Sequence, residues 1–137
     1  MRWIMLVKPA ISVSTAVVFR NLTEQDYSDG TASRSVLAAL AEGGNQIPLE
    51  NLYNSLEHSV LEQYPQVAQA REDMLRAGVP YVRLSGSGPT LFSTFSNLSQ
   101  AAQVQQQLHA QGYEVYLTHA VYPDVEKKSS NITKFAT

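Results

Sequence analysis

The sequence predicts an α+β domain with a ferredoxin-like split β-α-β sandwich, in which helices cover one face of a four-stranded antiparallel sheet. Short segments alternate between apolar and polar residues as strands do, and between them apolar residues recur at helical spacing. The resulting order is strand, helical region, strand, strand, helix, strand. We expect residues 1–123 to form this domain and the polar residues 124–137 to be a disordered tail.

The first strand is predicted over residues 3–7, which are apolar throughout and stop before Pro9, a residue with no N–H to donate. Ser14 could cap a short helix carrying Ala16, Val17 and Phe19, although an extended start is also compatible with the alternation before it. From the residues alone Phe19 is a candidate core aromatic.

The spacing of apolar residues in the middle of the chain predicts three helices. Residues 27–30 form a turn into a loosely attached helix over 33–41, and a second helix runs from 51 to about 63. The third begins at Pro65, which suits a first helical position, and Gly78 stops it.

Two strands are predicted over 80–84 and 90–95, followed by a helix and a last strand over 113–119. Ser96 or Asn97 can cap this helix, whose predicted buried stripe consists of Leu98, Ala101, Val104 and Leu108.

The turn between the two middle strands, Ser85–Pro89, contains Gly86 and Gly88. Both glycines can adopt positive φ, so the N–H groups of residues 85–88 could point at one bound anion such as a phosphate. A plain hairpin turn explains the same residues. The pattern leaves both interpretations open.

Composition excludes several classes of function. The chain has 137 residues, 44% of them apolar, and a net charge of −2 without a basic patch, so neither nucleic acid nor an anionic membrane is an expected partner. It has no cysteine and three widely separated histidines, so we expect no metal site. No segment has the length of a signal or membrane span, and we expect a soluble, cytoplasmic protein. The strand-like run at Trp3 suggests a domain continuing from something upstream.

Three blocks of the chain, taken together, resemble the GHMP family of small-molecule kinases. Residues 84–92 resemble its third glycine motif. Residues 6–9 and 12–19 resemble the segment that opens the C-terminal half of the members phosphorylating a cytidine-diphosphate methylerythritol, and residues 51–57 resemble their Asn-Asp-Leu-Glu block. Ser55 replaces the Asp of that block. The resemblance covers residues 3–119, although homoserine and mevalonate kinases share the third motif.

The resemblance implies an ATP-dependent kinase of the non-mevalonate route to isoprenoid precursors, which transfers a phosphoryl group to a small-molecule substrate and uses Mg²⁺. It implies that Phe19 stacks on the cytosine of cytidine diphosphate methylerythritol and that Thr15 and Ala16 line the same pocket. The loop residues Ser85, Gly86, Ser87, Gly88 and Pro89 match a loop that closes on the phosphate region. Asn54 and Glu57 are expected to be helix-capping or structural residues first.

No residue matches the family's catalytic Lys and Asp or its long ATP-binding glycine loop, so no catalytic residue is assigned. Lys8 is expected to be a solvated strand terminator. We therefore expect a C-terminal, substrate-side domain that is inactive without an N-terminal kinase half, supplied in cis or in trans, which would bind most of the ATP. The alternative is a stand-alone ferredoxin-like module that binds a small metabolite or another protein.

Overall fold

The computed structural model describes residues 3–43 and 52–119. The strands are β1 (Trp3–Lys8), β2 (Arg83–Leu84), β3 (Leu91–Phe95) and β4 (Glu114–His119). The α-helices are α1 (Thr15–Arg20), α2 (Thr31–Ala41), α3 (Glu57–Gln63), α4 (Pro65–Arg76) and α5 (Leu98–Ala110), with a 3₁₀ turn at Glu24–Asp26. The tail predicted over 124–137 lies outside the described residues.

The four strands form one antiparallel sheet in the order β2-β3-β1-β4. The first strand therefore lies in the middle, where Leu6 is opposite Phe92 on one side and Tyr116 on the other. This is the strand order that two interleaved β-α-β units produce. The predicted α+β, ferredoxin-like fold is confirmed.

The core lies between one face of the sheet and the helices. Alternate residues of β1, β3 and β4 point to this face, since successive side chains of a strand point to opposite sides. Buried residues of α4 and α5 pack among them, and the cluster includes Met5, Val7, Val67, Met74, Leu91, Phe95, Val104, Leu108 and Val115. On the opposite face Ile4, Leu6 and Phe92 are only half-buried and Tyr116 is exposed.

Local signals at the ends of α4 and α5 work as predicted. Pro65 occupies the first turn of α4, and Gly78 adopts a φ of +92° just after the helix end. Asn97, rather than Ser96, caps α5, because its Oδ1 accepts hydrogen bonds from the backbone N–H groups of Ser99 and Gln100.

Four predicted details differ from the structure. The strand expected over 80–84 pairs only at Arg83–Leu84. Leu98, predicted to be buried, is 45% exposed. A helical side chain leans over the preceding turn of its helix, and Leu98 is the first residue of α5, so it has no preceding turn to cover. The helix expected from residue 51 begins at Glu57. The hydrogen bonds that the Asn54 side chain makes with Leu56 and with the glycine loop account for this difference. Ser14 precedes α1 as predicted, but its side chain makes no capping hydrogen bond.

Helix α2 is attached as loosely as predicted. None of its residues is buried, and Leu37 and Leu40 are both more than half exposed. In the described ranges 3–43 and 52–119, no helix is long and apolar enough to cross a membrane.

Candidate functional site

Helix α1 exposes the aromatic ring that the sequence singles out. Val18 is completely buried and anchors the helix to the core, whereas the neighbouring Phe19 is 57% exposed. Core packing, one of the two roles open for Phe19, is therefore excluded. Thr15 and Ala16 are exposed on the same helix.

The glycine loop is a tight turn with a partly used set of amides. Gly86 and Gly88 have φ values of +59° and +79°, as predicted for this turn. The N–H of Ser85 donates to the carbonyl of Thr90 (2.9 Å), and the N–H of Gly88 donates to the carbonyl of Ser85 (3.0 Å). Two of the four amides expected to face an anion are therefore engaged within the hairpin.

The other two amides, those of Gly86 and Ser87, have no acceptor among the residues described. A Cβ placed on Gly86 would meet no atom within 4 Å, so the surface above it is open. A Cβ on Gly88 would lie 3.0 Å from Leu84 Cδ1 and 3.5 Å from Val60 Cγ1. The loop thus has one side packed on the core and one side accessible to a ligand.

The two segments expected to form one site meet directly. The hydroxyl groups of Thr15 and Ser87 are hydrogen-bonded at 2.8 Å, although the residues are 72 positions apart in the chain. This contact joins the N-terminus of α1 to the tip of the glycine loop. Thr15 and the loop therefore share one surface, and Phe19 lies on the same short helix.

The segment before α3 holds the loop from its other side. The side-chain amide of Asn54 donates to the carbonyls of Leu84 (3.0 Å) and Gly86 (2.9 Å). Glu57 accepts a hydrogen bond from the N–H of Leu84 (2.8 Å) and pairs with Arg83 (3.4 Å). The structural role expected for both residues is observed, but the partner is the loop, which no local pattern indicates.

Ser55, which replaces the Asp of the family block, lies in the turn between these two residues. None of the four contacts between this segment and the loop region involves its side chain. The missing carboxylate therefore leaves the attachment of the loop intact.

A group of ionisable residues lies beside this segment. His58 is 3.4 Å from Asp26 and 3.5 Å from Glu62. The backbone and hydroxyl of Thr23 donate to Asp26, and these hydrogen bonds hold the pKa of its carboxyl below the ordinary value. Within residues 3–43 and 52–119, no group of three His, Asp or Glu side chains could hold a metal ion.

Lys8 takes the role expected for it. Its ammonium pairs with Glu114 at 3.4 Å, and both side chains are about half exposed. The pair joins the ends of two adjacent strands, Lys8 being opposite Glu114 in the register.

The structure is thus an α+β domain whose glycine hairpin contacts an exposed helix after the first strand. Residues 36–114 match the family model for the C-terminal domain of GHMP kinases. The match spans more than half of the chain, and the protein belongs to this family.

Curated relatives are 4-diphosphocytidyl-2-C-methyl-D-erythritol kinases. The enzyme of Geobacillus thermodenitrificans is 35% identical over 102 residues, covering 74% of this chain and 35% of the relative. That of Bacillus licheniformis is 33% identical over 119 residues, covering 87% of this chain and 41% of the relative. The chain thus spans about two fifths of the length of the relatives it matches.

Solved structures show the same fold. A 4-(cytidine 5'-diphospho)-2C-methyl-D-erythritol kinase superposes with a TM-score of 0.68 at 24% identity, over 85% of this chain and 42% of the other. Homoserine kinase from Cytophaga hutchinsonii gives a TM-score of 0.65 at 18% identity, over 87% and 42%. At these identities the likeness establishes the architecture alone.

Proposed function

We propose that this chain is the substrate-side domain of a cytoplasmic, ATP-dependent kinase that phosphorylates 4-diphosphocytidyl-2-C-methyl-D-erythritol in isoprenoid precursor synthesis. The observation that carries the proposal is the hydrogen bond between Thr15 and Ser87. It brings the helix bearing an exposed aromatic ring next to a loop with two available amides. A nucleoside diphosphate fits this arrangement, because its base can stack on the aromatic ring and its phosphates can accept hydrogen bonds from the amides.

Phe19 supports recognition of the base. Its exposed ring offers a flat π-face, on which a pyrimidine can stack without any charged contact. Thr15 and Ala16 are exposed one turn earlier on the same helix and would line the pocket around the base. Stacking provides affinity, while discrimination among bases requires polar contacts to the base edge.

The glycine loop supports recognition of phosphate. The N–H groups of Gly86 and Ser87 are available donors at an uncovered surface, the arrangement that turns use to bind anions. Ser85, Gly88 and Pro89 shape the turn, and the hydroxyl of Ser87 links it to Thr15.

Phosphoryl transfer also needs an acceptor for the hydroxyl proton and cations that neutralise the phosphates. We assign neither role to a residue of this chain. We propose that an N-terminal kinase half, in cis or in trans, supplies them and binds most of the ATP and Mg²⁺. When bound, Mg²⁺ would neutralise charge on the transferred phosphoryl group.

Binding of cytidine diphosphate, followed by calorimetry or NMR, tests the proposal. Phe19→Ala should weaken binding by about 5- to 150-fold, the range expected for a stacking contact of 1–3 kcal/mol. Phe19→Trp should retain it. Tyr27→Ala is the matched control, because Tyr27 is a comparably exposed aromatic, 66% accessible, to which the proposed site assigns no role.

The melting temperature separates binding from folding. Because Phe19 is exposed, its truncation should leave stability almost unchanged, whereas a buried Phe would cost about 3–5 kcal/mol. Equal affinity of the wild type and Phe19→Ala, or absence of nucleotide binding by the wild type, would refute the proposal in favour of a stand-alone module. Kinase turnover by the purified chain would refute its dependence on a second half.

A further inference from the structure

We propose that Asn54, supported by Glu57, is a positioning residue that orients the peptide between Gly86 and Ser87 and turns the Ser87 N–H toward the ligand. The orientation follows from the contacts of the loop. Only the identity of the ligand, a phosphate-bearing compound, rests on the proposed function.

The side chain of Asn54 has a single orientation consistent with its partners. Its Oδ1 accepts a hydrogen bond from the N–H of Leu56 (3.0 Å), so the NH₂ group faces the loop. Both amide hydrogens are then used, one on Leu84 O and the other on Gly86 O. The Leu56 contact fixes the rotation of the amide, and the two carbonyls fix its place.

The geometry of the peptide bond transmits this orientation to Ser87. The C=O of Gly86 and the N–H of Ser87 belong to the same planar trans peptide, so they point in opposite directions. Because Asn54 binds the carbonyl, the Ser87 N–H points away from Asn54. Without Asn54 this peptide could rotate, since Gly86 tolerates several backbone conformations at little cost.

The preceding peptide is held by the turn itself. Its carbonyl, Ser85 O, accepts from Gly88 N, so the Gly86 N–H also points out of the turn. The two available amides are therefore oriented by different contacts, one within the turn and one from Asn54 in the segment before α3. Only the Ser87 amide depends on Asn54.

Glu57 anchors the base of the loop. Its carboxylate accepts from the N–H of Leu84 at 2.8 Å, a charge-assisted hydrogen bond, and its side chain is only 16% exposed. Asn54 and Glu57 thus bind the carbonyl and the N–H of the same residue, Leu84. This double contact keeps the last residue of β2 at a constant distance from α3.

The requirement for an amide gives a sharp test, because Asp has nearly the same shape as Asn but cannot donate two hydrogens. Asn54→Asp places a carboxylate against two carbonyl oxygens. Asn54→Ala removes the same two hydrogen bonds without adding charge. Asn97→Asp is the matched control, because Asn97 uses only its Oδ1 as a helix cap and Asp caps equally well.

The first measurement needs no ligand. ¹⁵N relaxation and amide exchange of the 137-residue chain should show that the Ser87 amide becomes mobile in both Asn54 variants, more than that of Gly86. Asn97→Asp should leave both amides unchanged. An unchanged Ser87 amide in a folded Asn54→Ala variant would overturn the inference.

The second measurement is an NMR titration with inorganic pyrophosphate. We expect the affinity to fall about tenfold or more in Asn54→Ala, the loss of one well-oriented donor to an anion, and further in Asn54→Asp. Glu57→Gln, which can still accept from Leu84, should have a smaller effect. Equal affinity of the wild type and Asn54→Ala for pyrophosphate would also overturn the inference. If the wild type binds neither pyrophosphate nor cytidine diphosphate, the proposed function is refuted, and the relaxation measurement alone then decides the role of Asn54.

Discussion

Tyr113→Phe should destabilise the domain measurably, because the phenol of Tyr113 connects two parts of the core. Its hydroxyl donates to the carboxylate of Asp73 on α4 at 2.5 Å, while Tyr113 itself lies just before β4. The Asp73 side chain is 18% exposed, so its lost partner is only partly replaced by water. Gln69 and Arg76 also contact this carboxylate and would remain.

The pKa values set the size of the effect. Burial, together with the hydrogen bond to Asp73, raises the pKa of Tyr113 from 10.0 to about 12. One pKa unit corresponds to 1.36 kcal/mol, so the interaction is at most about 2.7 kcal/mol. Burial, the larger cause, penalises the phenolate without stabilising the phenol. We therefore expect a loss of about 1–2 kcal/mol, typical of a hydrogen bond to a charged group.

The contribution should depend on pH in a defined direction. The hydrogen bond to Tyr113 lowers the pKa of Asp73, so the carboxylate contributes stability above its ordinary pKa of 3.8, and that stability is lost as the pH falls through the lowered value. The raised pKa of Tyr113 contributes stability that is complete below pH 10 and lost as the pH rises from 10 to about 12. The difference in the free energy of unfolding between the wild type and Tyr113→Phe should therefore become smaller at both low and high pH.

Urea unfolding in a series of buffers from pH 7 down through the acid region below 3.8, and up from pH 7 to above pH 10, measures these differences. Tyr116→Phe is the control, since its hydroxyl also donates to a carboxylate, that of Glu114, but the side chain is 52% exposed. The control should change the free energy of unfolding by no more than about 0.5 kcal/mol. Equal losses in the two variants, or a Tyr113→Phe loss that does not change with pH, would refute the reasoning.

Two further substitutions have opposite expected signs. Ser93→Ala should stabilise the domain by about 1 kcal/mol, because the fully buried hydroxyl of Ser93 has no partner in the described part of the chain. Thr94→Val is the control and should not stabilise the domain, because it removes a hydroxyl that is hydrogen-bonded. A Ser93→Ala variant that is less stable than the wild type in urea unfolding would contradict this prediction. Gly88→Ala should lower the melting temperature more than Gly86→Ala does. Both glycines have positive φ, but only a Cβ at position 88 would lie 3.0 Å from the side chain of Leu84. If the two variants lower the melting temperature equally in thermal denaturation, the described packing of the loop on the core is wrong.

Elements with their own end signals were predictable. Helix α4 lies between Pro65 and Gly78, and α5 follows its cap at Asn97. These signals act within one turn of the backbone, so a short stretch of sequence contains all the information. The order of the elements predicted the ferredoxin-like arrangement with a four-stranded antiparallel sheet.

The start of α3 could not be predicted in this way. A helical pattern extends back to residue 51, but Asn54 uses its side-chain amide on carbonyls 30 and 32 positions away. The Oδ1 of Asn54 also accepts a hydrogen bond from the N–H of Leu56, and such a local side-chain contact competes with helix formation. The distant carbonyls that hold the same side chain are not visible in any local pattern.

The same limit applies to the candidate site. The sequence by itself determined the α+β fold, the glycine turn and the resemblance of three blocks to one kinase family, because periodicity, turn residues and motifs are local properties. Only the tertiary structure decided that Phe19 is exposed, that two of four loop amides are available, and that Thr15 touches Ser87. Burial and hydrogen-bond partners depend on residues brought together from distant positions by the packing of the sheet and helices.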